Sequence, residues 1–428
     1  MPPRCSTPTD PAREQAFFDL FKPYFDLEKQ TARAHDTRHY SLDRMRPLAE
    51  LAGNPERSLR ILHIAGTKGK GSTAWFLDAL LRAAGRTSGV FTSPHLLTVR
   101  ERFQTHGRLV AYETLQAAAA ALAAKLPTLP EPKPTLFEIM TVLGLALIRD
   151  AGGEFAVLET GIGGLLDSTN YVPHPEACVI TAVSFDHMQL LGNDIREIAA
   201  QKAGILKPGV PVVLGPQPYP EAEAVIRETA ARLGCAVLEP VPEAALAAWP
   251  QIRELPDFLQ ENFRTALRVP ELLTRPGAAP FSAPDPARFE MPALPGRFQI
   301  LQESPPVVLD AAHNADSARR LAAALQTRFP GVRFTTVLGV VEGKDVEGIF
   351  TALRPVTATF VLTHPRNPGK GSELARLEQL AAAAAAPYRV AGELRRRTDF
   401  PVGEPLLFTG SFFTALIGAE GFVPAQPP

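Results

Sequence analysis

A chain of 428 residues corresponds to roughly three average domains or two large ones, which excludes a single small module. Hydrophobic residues make up 45% and charged residues 21%, so bulk disorder is excluded. With 44 basic against 45 acidic side chains, and no like-charge run beyond Arg395, Arg396 and Arg397, neither nucleic acid nor an anionic membrane is expected as a partner.

Cys5, Cys178 and Cys235 are odd in number, far apart and without metal-ligand spacing, as in a reducing compartment. The longest apolar stretches, such as 140–148, fall well short of the roughly 18 residues that span a bilayer. The Pro/Thr-rich N-terminus lacks the layout of a signal peptide, and a cytoplasmic protein is expected.

Along the chain, apolar β-rich runs at 61–65, 89–92, 155–159, 178–183 and 210–214 alternate with helical patterns at 72–84, 112–126, 136–149 and 195–206. From Pro276 to Pro295 the density of proline, with Pro280, Pro284, Pro286 and Pro292 between, forbids helix or central strand and marks a domain boundary. Beyond it strands are predicted at 307–309, 334–338, 359–362 and 406–408, with helices after Ala315, Val346 and Ser372. The fold class is α/β, with parallel sheets covered by helices in two domains, 1–291 and 292–428.

The first strand runs directly into Gly66, Thr67, Lys68, Gly69, Lys70, Gly71, Ser72 and Thr73, and a helix follows that Gly85 stops. A glycine-rich turn between a buried strand and a helix N-terminus presents N–H groups and the positive dipole end to an anion, while a lysine reaches the terminal phosphates. The spacing is a variant of the Walker motif, and a merely tight turn is the bland alternative. Three more segments end strands at the edge where such sheets bind ligands: Thr92 to Leu96, Glu159 to Gly164 and Ser184 to His187. Glu159 suits a hard cation or caps a loop amide. His187 reads equally as a structural histidine, and Lys202 on its own reads as a lysine snorkelling to water.

Together these motifs resemble the folylpolyglutamate synthase/dihydrofolate synthase family of the Mur ligase superfamily, from about Tyr40 to Phe413. The residues that carry the resemblance are 66–72, Ser93-Pro94-His95-Leu96 with Glu101-Arg102, Phe137-Glu138, 159–170, Asp186-His187, Leu191-Gly192 and Lys202 to Ile205 with Lys207. In the second domain they are Leu294 to Phe298, Asp310 to Asn314, Gly339 with Lys344-Asp345, and Gly410 to Phe412.

The resemblance implies a P-loop ATPase domain, a smaller Rossmann-like domain, and an ATP-dependent ligase that adds L-glutamate to dihydropteroate, to tetrahydrofolate or to both through an acyl phosphate. It implies ATP contacts from Gly66, Thr67, Gly69, Lys70, Gly71, Ser72, Thr73, Asn262, Arg297 and Asp310. Mg2+ would be held by Ser93, Glu159 and His187, and Lys202 would be a carbamate supporting a second metal. Lys70, Lys202 and His313 would act in catalysis, with the pterin near Thr135, Leu166, Asp167 and Ser168, and glutamate near His313 and Ser411. Leu165 stands where the family commonly has arginine, and Lys68 where bacterial members commonly have asparagine. A monomer is expected. The rivals are a Mur-type ligase with another acceptor, and a nucleotide-binding regulator without ligase chemistry.

Overall fold

The computed structural model describes residues 10–24, 41–273, 281–365, 371–392, 394, 400 and 403–419. Cys5, Pro276, Pro280 and the run Arg395 to Arg397 lie outside the described residues. The chain divides into two compact units, the first ending at Pro292 and the second beginning at Ala293.

In the first unit the described strands are β1 (Arg60–Ala65), β2 (Ser88–Phe91), β3 (Phe103–Thr105), β4 (Arg108–Leu109), β5 (Phe155–Glu159), β6 (Ala177–Ile180), β7 (Val212–Leu214) and β8 (Val237–Leu238). They form one sheet in the order β4-β3-β2-β5-β1-β6-β7-β8, in which the β2–β3 and β3–β4 pairings are antiparallel and the others parallel. The central strands are apolar on both sides because both faces are covered. Ile61, Phe91, Ala156 and Leu158 pack with the helix Leu136–Asp150, and Cys178, Ile180 and Val212 with the helix Ile195–Ala203.

The helix Lys70–Ala83 is backed by Asp257–Arg268, and an aromatic cluster joins the two: Phe263 meets Phe76 at 5.4 Å, Trp249 at 5.1 Å and Phe289 at 5.5 Å. The described part of the proline-rich segment thus packs on this unit, with Phe281 also edge-on to Phe155.

In the second unit the strands are β9 (Gln299–Glu303), β10 (Pro306–Leu309), β11 (Phe334–Leu338), β12 (Thr357–Leu362), β13 (Tyr388–Val390) and β14 (Leu406–Thr409). Their order is β13-β12-β11-β14-β10-β9, with only β9 antiparallel among the described strands.

The predicted elements are present with shifted ends. The run expected to continue to Val183 leaves the sheet after Ile180, because the carbonyl of Ala182 turns to accept from the amides of Thr67 and Lys68. The helix expected to reach Leu206 ends at Ala203. The hairpin β3–β4, the edge strands β8 and β13, β9, and the helices Pro220–Arg232 and Asp257–Arg268 were not read from the sequence.

Phe263 is fully buried at the centre of its cluster. Phe263→Ala is expected to cost roughly 3–5 kcal/mol, measured as the shift in a denaturant transition; a change below about 1 kcal/mol would contradict the central role given to this ring.

Candidate active site

The two glycines of the loop after β1 allow its sharp course. Gly66 has φ +146°, and a Cβ there would lie 1.9 Å from Thr181 Oγ1. Gly69 has φ +89°, and a Cβ there would lie 2.3 Å from Asn262 Oδ1. Asn262, on the helix that the aromatic cluster holds in place, therefore lies directly against the loop. A second clamp comes from the segment after β6: Thr67 Oγ1 donates to Ser184 O at 3.0 Å, and Ser184 N donates back to Thr67 Oγ1 at 3.1 Å. The Gln217 amide holds that segment in turn, accepting from Val183 N and donating to Thr181 O.

Charges are assembled around the loop. Lys70 Nζ is 3.9 Å from Glu159 Oε1, and the other Glu159 oxygen accepts from Ser93 N at 3.0 Å. Lys68 Nζ is paired with Asp186 at 3.1 Å. His187 follows Asp186 in a left-handed conformation, with Nε2 4.0 Å from Asp186 Oδ1. Lys202 does not snorkel. It is buried and donates to Gly66 O at 2.9 Å, and burial, followed by the charge of Lys70, pushes its amine down to about 7. Ser72 Oγ and Thr73 Oγ1, at the start of the helix, and Thr160 Oγ1 after Glu159 are buried without hydrogen-bond partners.

Residues 64–213 match the Mur ligase middle domain and residues 296–399 the Mur ligase glutamate ligase domain. The chain is 35% identical over 343 residues to the dihydrofolate synthase/folylpolyglutamate synthase of Bacillus subtilis, covering 74% of this chain and 79% of that one. The chain belongs to the folylpolyglutamate synthase/dihydrofolate synthase family of ATP-dependent ligases. Among solved structures, the ADP complex of Mycobacterium tuberculosis folylpolyglutamate synthase matches with a TM-score of 0.80 at 27% identity, over 97% of this chain and 99% of that one. The bifunctional enzyme of Yersinia pestis, complexed with AMPPNP and Mn, matches with a TM-score of 0.74 at 27% identity, over 96% and 98%.

Within this family frame, the structure separates side chains that are open to a ligand from those already engaged. Leu165 and Leu166 are 45% and 44% exposed, at the mouth of the turn after β5. Asp167 is buried and spends both oxygens on that turn, accepting from the amides of Gly161, Ile162 and Thr169 and from Thr169 Oγ1. Ser168 Oγ bonds Thr141 Oγ1, and Thr135 caps the helix Leu136–Asp150, whose Glu138 is held by buried Arg44 at 2.6 Å. Among the described residues, no three His, Cys, Asp or Glu side chains are grouped to hold a metal.

In the second unit the expected residues gather at the carboxyl edge of its sheet. Asp310 accepts from the amides of Phe298 and Ala312, each at 2.8 Å, and Arg297 lies over the ring of Phe412 at 4.5 Å. His313 Nδ1 is 2.8 Å from Ala311 O, Asn314 caps the helix Ala315–Arg328, and Ser411 Oγ accepts from Thr414 N at the start of the last described helix. Sequence reasoning gave no role to Thr181, Asn170, Gln217 or His63; a histidine inside an otherwise apolar strand was the available signal for the last.

The buried amine of Lys202 has a pH signature. The unfolded chain keeps its proton up to the ordinary 10.5, the folded one only to about 7. Between these values the unfolded state binds more protons, so this group makes stability rise with pH across that window and contributes no slope below it. Lys202→Met is expected to flatten the rise, read from urea midpoints in CO2-free buffer; an unaltered slope would overturn the assignment.

Proposed function

We propose that the chain joins L-glutamate to the carboxylate of a reduced pterin, with dihydropteroate and tetrahydrofolate as the two acceptors, and that it works as a cytoplasmic monomer. The observation that supports this reading is the phosphate loop itself: two glycines in left-handed conformations, Lys70 facing Glu159, and unpartnered hydroxyls of Ser72 and Thr73 at the helix N-terminus. Such hydroxyls are costly to bury alone, and phosphate oxygens or a hydrated cation satisfy them. Among the described residues no helix is long and apolar enough to cross a membrane.

A carboxylate is a poor electrophile until one of its oxygens becomes part of a leaving group. Its oxygen attacks the γ-phosphorus of ATP and ADP leaves; the glutamate amine then attacks the acyl carbon and phosphate leaves. Gly66, Thr67, Gly69, Gly71, Ser72 and Thr73 cradle the phosphates, and Lys70 balances the charge on the transferring group. Glu159, held by Ser93 N, offers a hard oxygen, so Ser93, Glu159 and His187 are the residues to hold Mg2+, which when bound neutralises phosphoryl charge. Asn262, Arg297 and Asp310 complete the ATP contacts.

The neutral amine of Lys202 adds to CO2 with loss of a proton, and the resulting carbamate adds an anionic group beside Lys68 and Lys70 that supports a second metal. The pterin lies against Leu166 on the turn that Asp167 and Ser168 shape and beside the Thr135 cap, and glutamate lies near His313 and Ser411.

The test is ADP release with Mg2+, L-glutamate and either dihydropteroate or tetrahydrofolate, with mass spectrometry of the pterin. A product one glutamate heavier supports the reading and shows which acceptors are used; glutamylation of neither overturns it. Lys70→Ala is expected to abolish glutamate-dependent ADP release with the far-ultraviolet circular dichroism unchanged, and full activity in a folded variant would sink the role of the loop. Removing CO2 is expected to lower the rate and bicarbonate to restore it, whereas a rate indifferent to CO2 would exclude the carbamate.

A further inference from the structure

Buried polar side chains that take no part in this chemistry converge beneath the turn after β5. His63, midway along β1 and fully enclosed, has Nε2 2.8 Å from Thr169 Oγ1. The direction of that bond follows from the other partner of the hydroxyl. Thr169 Oγ1 lies 2.6 Å from Asp167 Oδ1, and the amides of Gly161, Ile162 and Thr169 donate to the same carboxyl group, favouring its anion against the burial that pushes its pKa up. With Asp167 ionised, the single hydroxyl proton goes to it, and Thr169 accepts from His63 Nε2–H.

The imidazole is thereby fixed as the Nε2 tautomer. Burial, and then Lys207, push its pKa down to about 3, and its Nδ1 is buried without a partner.

The constraint travels outward from there. Asp167 Oδ2 accepts from the amides of Gly161 and Ile162, which begin one residue after Thr160 and two after Glu159. Asn170 closes the other end of the turn: its Nδ2 donates to Leu165 O at 2.9 Å and Gly204 O at 3.0 Å, and its Oδ1 accepts from Lys207 Nζ at 2.8 Å.

We propose that His63 is a positioning residue, which orients the Thr169 hydroxyl so that Asp167 fixes the turn carrying Glu159 at its start and Leu165 and Leu166 at its mouth. An isobutyl group in the same place would roughly fill the volume and leave the Thr169 hydroxyl free to rotate away from Asp167. The identity of the acceptor that meets this turn rests on the proposed function; the relay itself does not.

The experiment compares His63→Leu, His63→Gln and Thr169→Val in the full chain. His63→Leu and Thr169→Val are each expected to raise the acceptor KM on the order of tenfold, as removal of an outer hydrogen-bond partner does, while the ATP KM changes less than about twofold. His63→Gln, which returns a donor to the Thr169 hydroxyl, is expected to recover most of the loss, and the double variant to be no worse than either single one.

Unchanged acceptor KM in Thr169→Val overturns the proposal, as do equal losses for ATP and acceptor that add in the double variant. Thr169→Val carries the test if His63→Leu does not fold. If the wild type turns over neither pterin, amide exchange decides: Thr169→Val must speed exchange at Gly161 and Ile162 and leave the helix Lys70–Ala83 unchanged, and equal rates in the turn overturn the relay.

Discussion

The chain between β1 and the helix Lys70–Ala83 must turn sharply out of the sheet, and the rest of the first unit is arranged around that turn. Chain leaving a buried parallel strand would normally continue its hydrogen bonds with the neighbouring strands. Here Thr67 and Lys68 give their amides to Ala182 O, which lies beyond the end of β6. The cost falls on β6, which stops at Ile180, and on Gly66, which must lack a side chain because Thr181 occupies the space. Gln217 then satisfies the groups that β6 gives up, and the helix carrying Asn262 closes the far side of Gly69.

Electrostatics follow from the same geometry. Three lysines, Lys68, Lys70 and Lys202, surround the loop, and Asp186 and Glu159 each face one of them. Lys202 is the exception, because it donates to a carbonyl, Gly66 O, and its carboxylate neighbours Asp186 and Asp167 act only at longer range. A buried ammonium without a contacting carboxylate is disfavoured, so the amine titrates near neutrality and is available as a nucleophile. The same helix that buries Lys202 also supports the turn after β5 through Gly204 and the bond from Leu165 N to Gln201 O.

The strands that were legible in the sequence are those buried on both faces, since continuous apolar runs have few other readings. The elements that escaped are short or sit at edges: β4 and β8 have two residues each, and β13 is exposed along its length. The helix Asp257–Arg268 places Leu259, Phe263 and Ala266 on one buried face, a helical spacing diluted by charged neighbours.

At the candidate site, the sequence names residues and says nothing of the state of their atoms. Thr135, Asp167, Ser168 and Ser411 were expected to contact ligands, and each holds backbone or a neighbouring hydroxyl. Which lone pairs remain free is a property of the folded turn, and no spacing rule reports it.

Unmade hydrogen bonds point the same way in both units. Among the described residues, eight buried side-chain polar atoms have no partner, and five are hydroxyls: Ser72, Thr73, Thr160, Ser372 and Thr409. The first three start the phosphate-loop helix or follow β5; Thr409 ends β14, and Ser372 bridges to Val341 just beyond β11. All five therefore lie at or just beyond the carboxyl edge of a parallel sheet, although hydroxyls elsewhere, such as Thr336 and Thr357, pair with each other. A buried hydroxyl left unbonded costs about 1–3 kcal/mol. Its persistence at these edges, and its pairing within the cores, is the pattern expected when the missing partner belongs to a ligand. Binding to the folded state alone then recovers that cost and stabilises the fold by mass action.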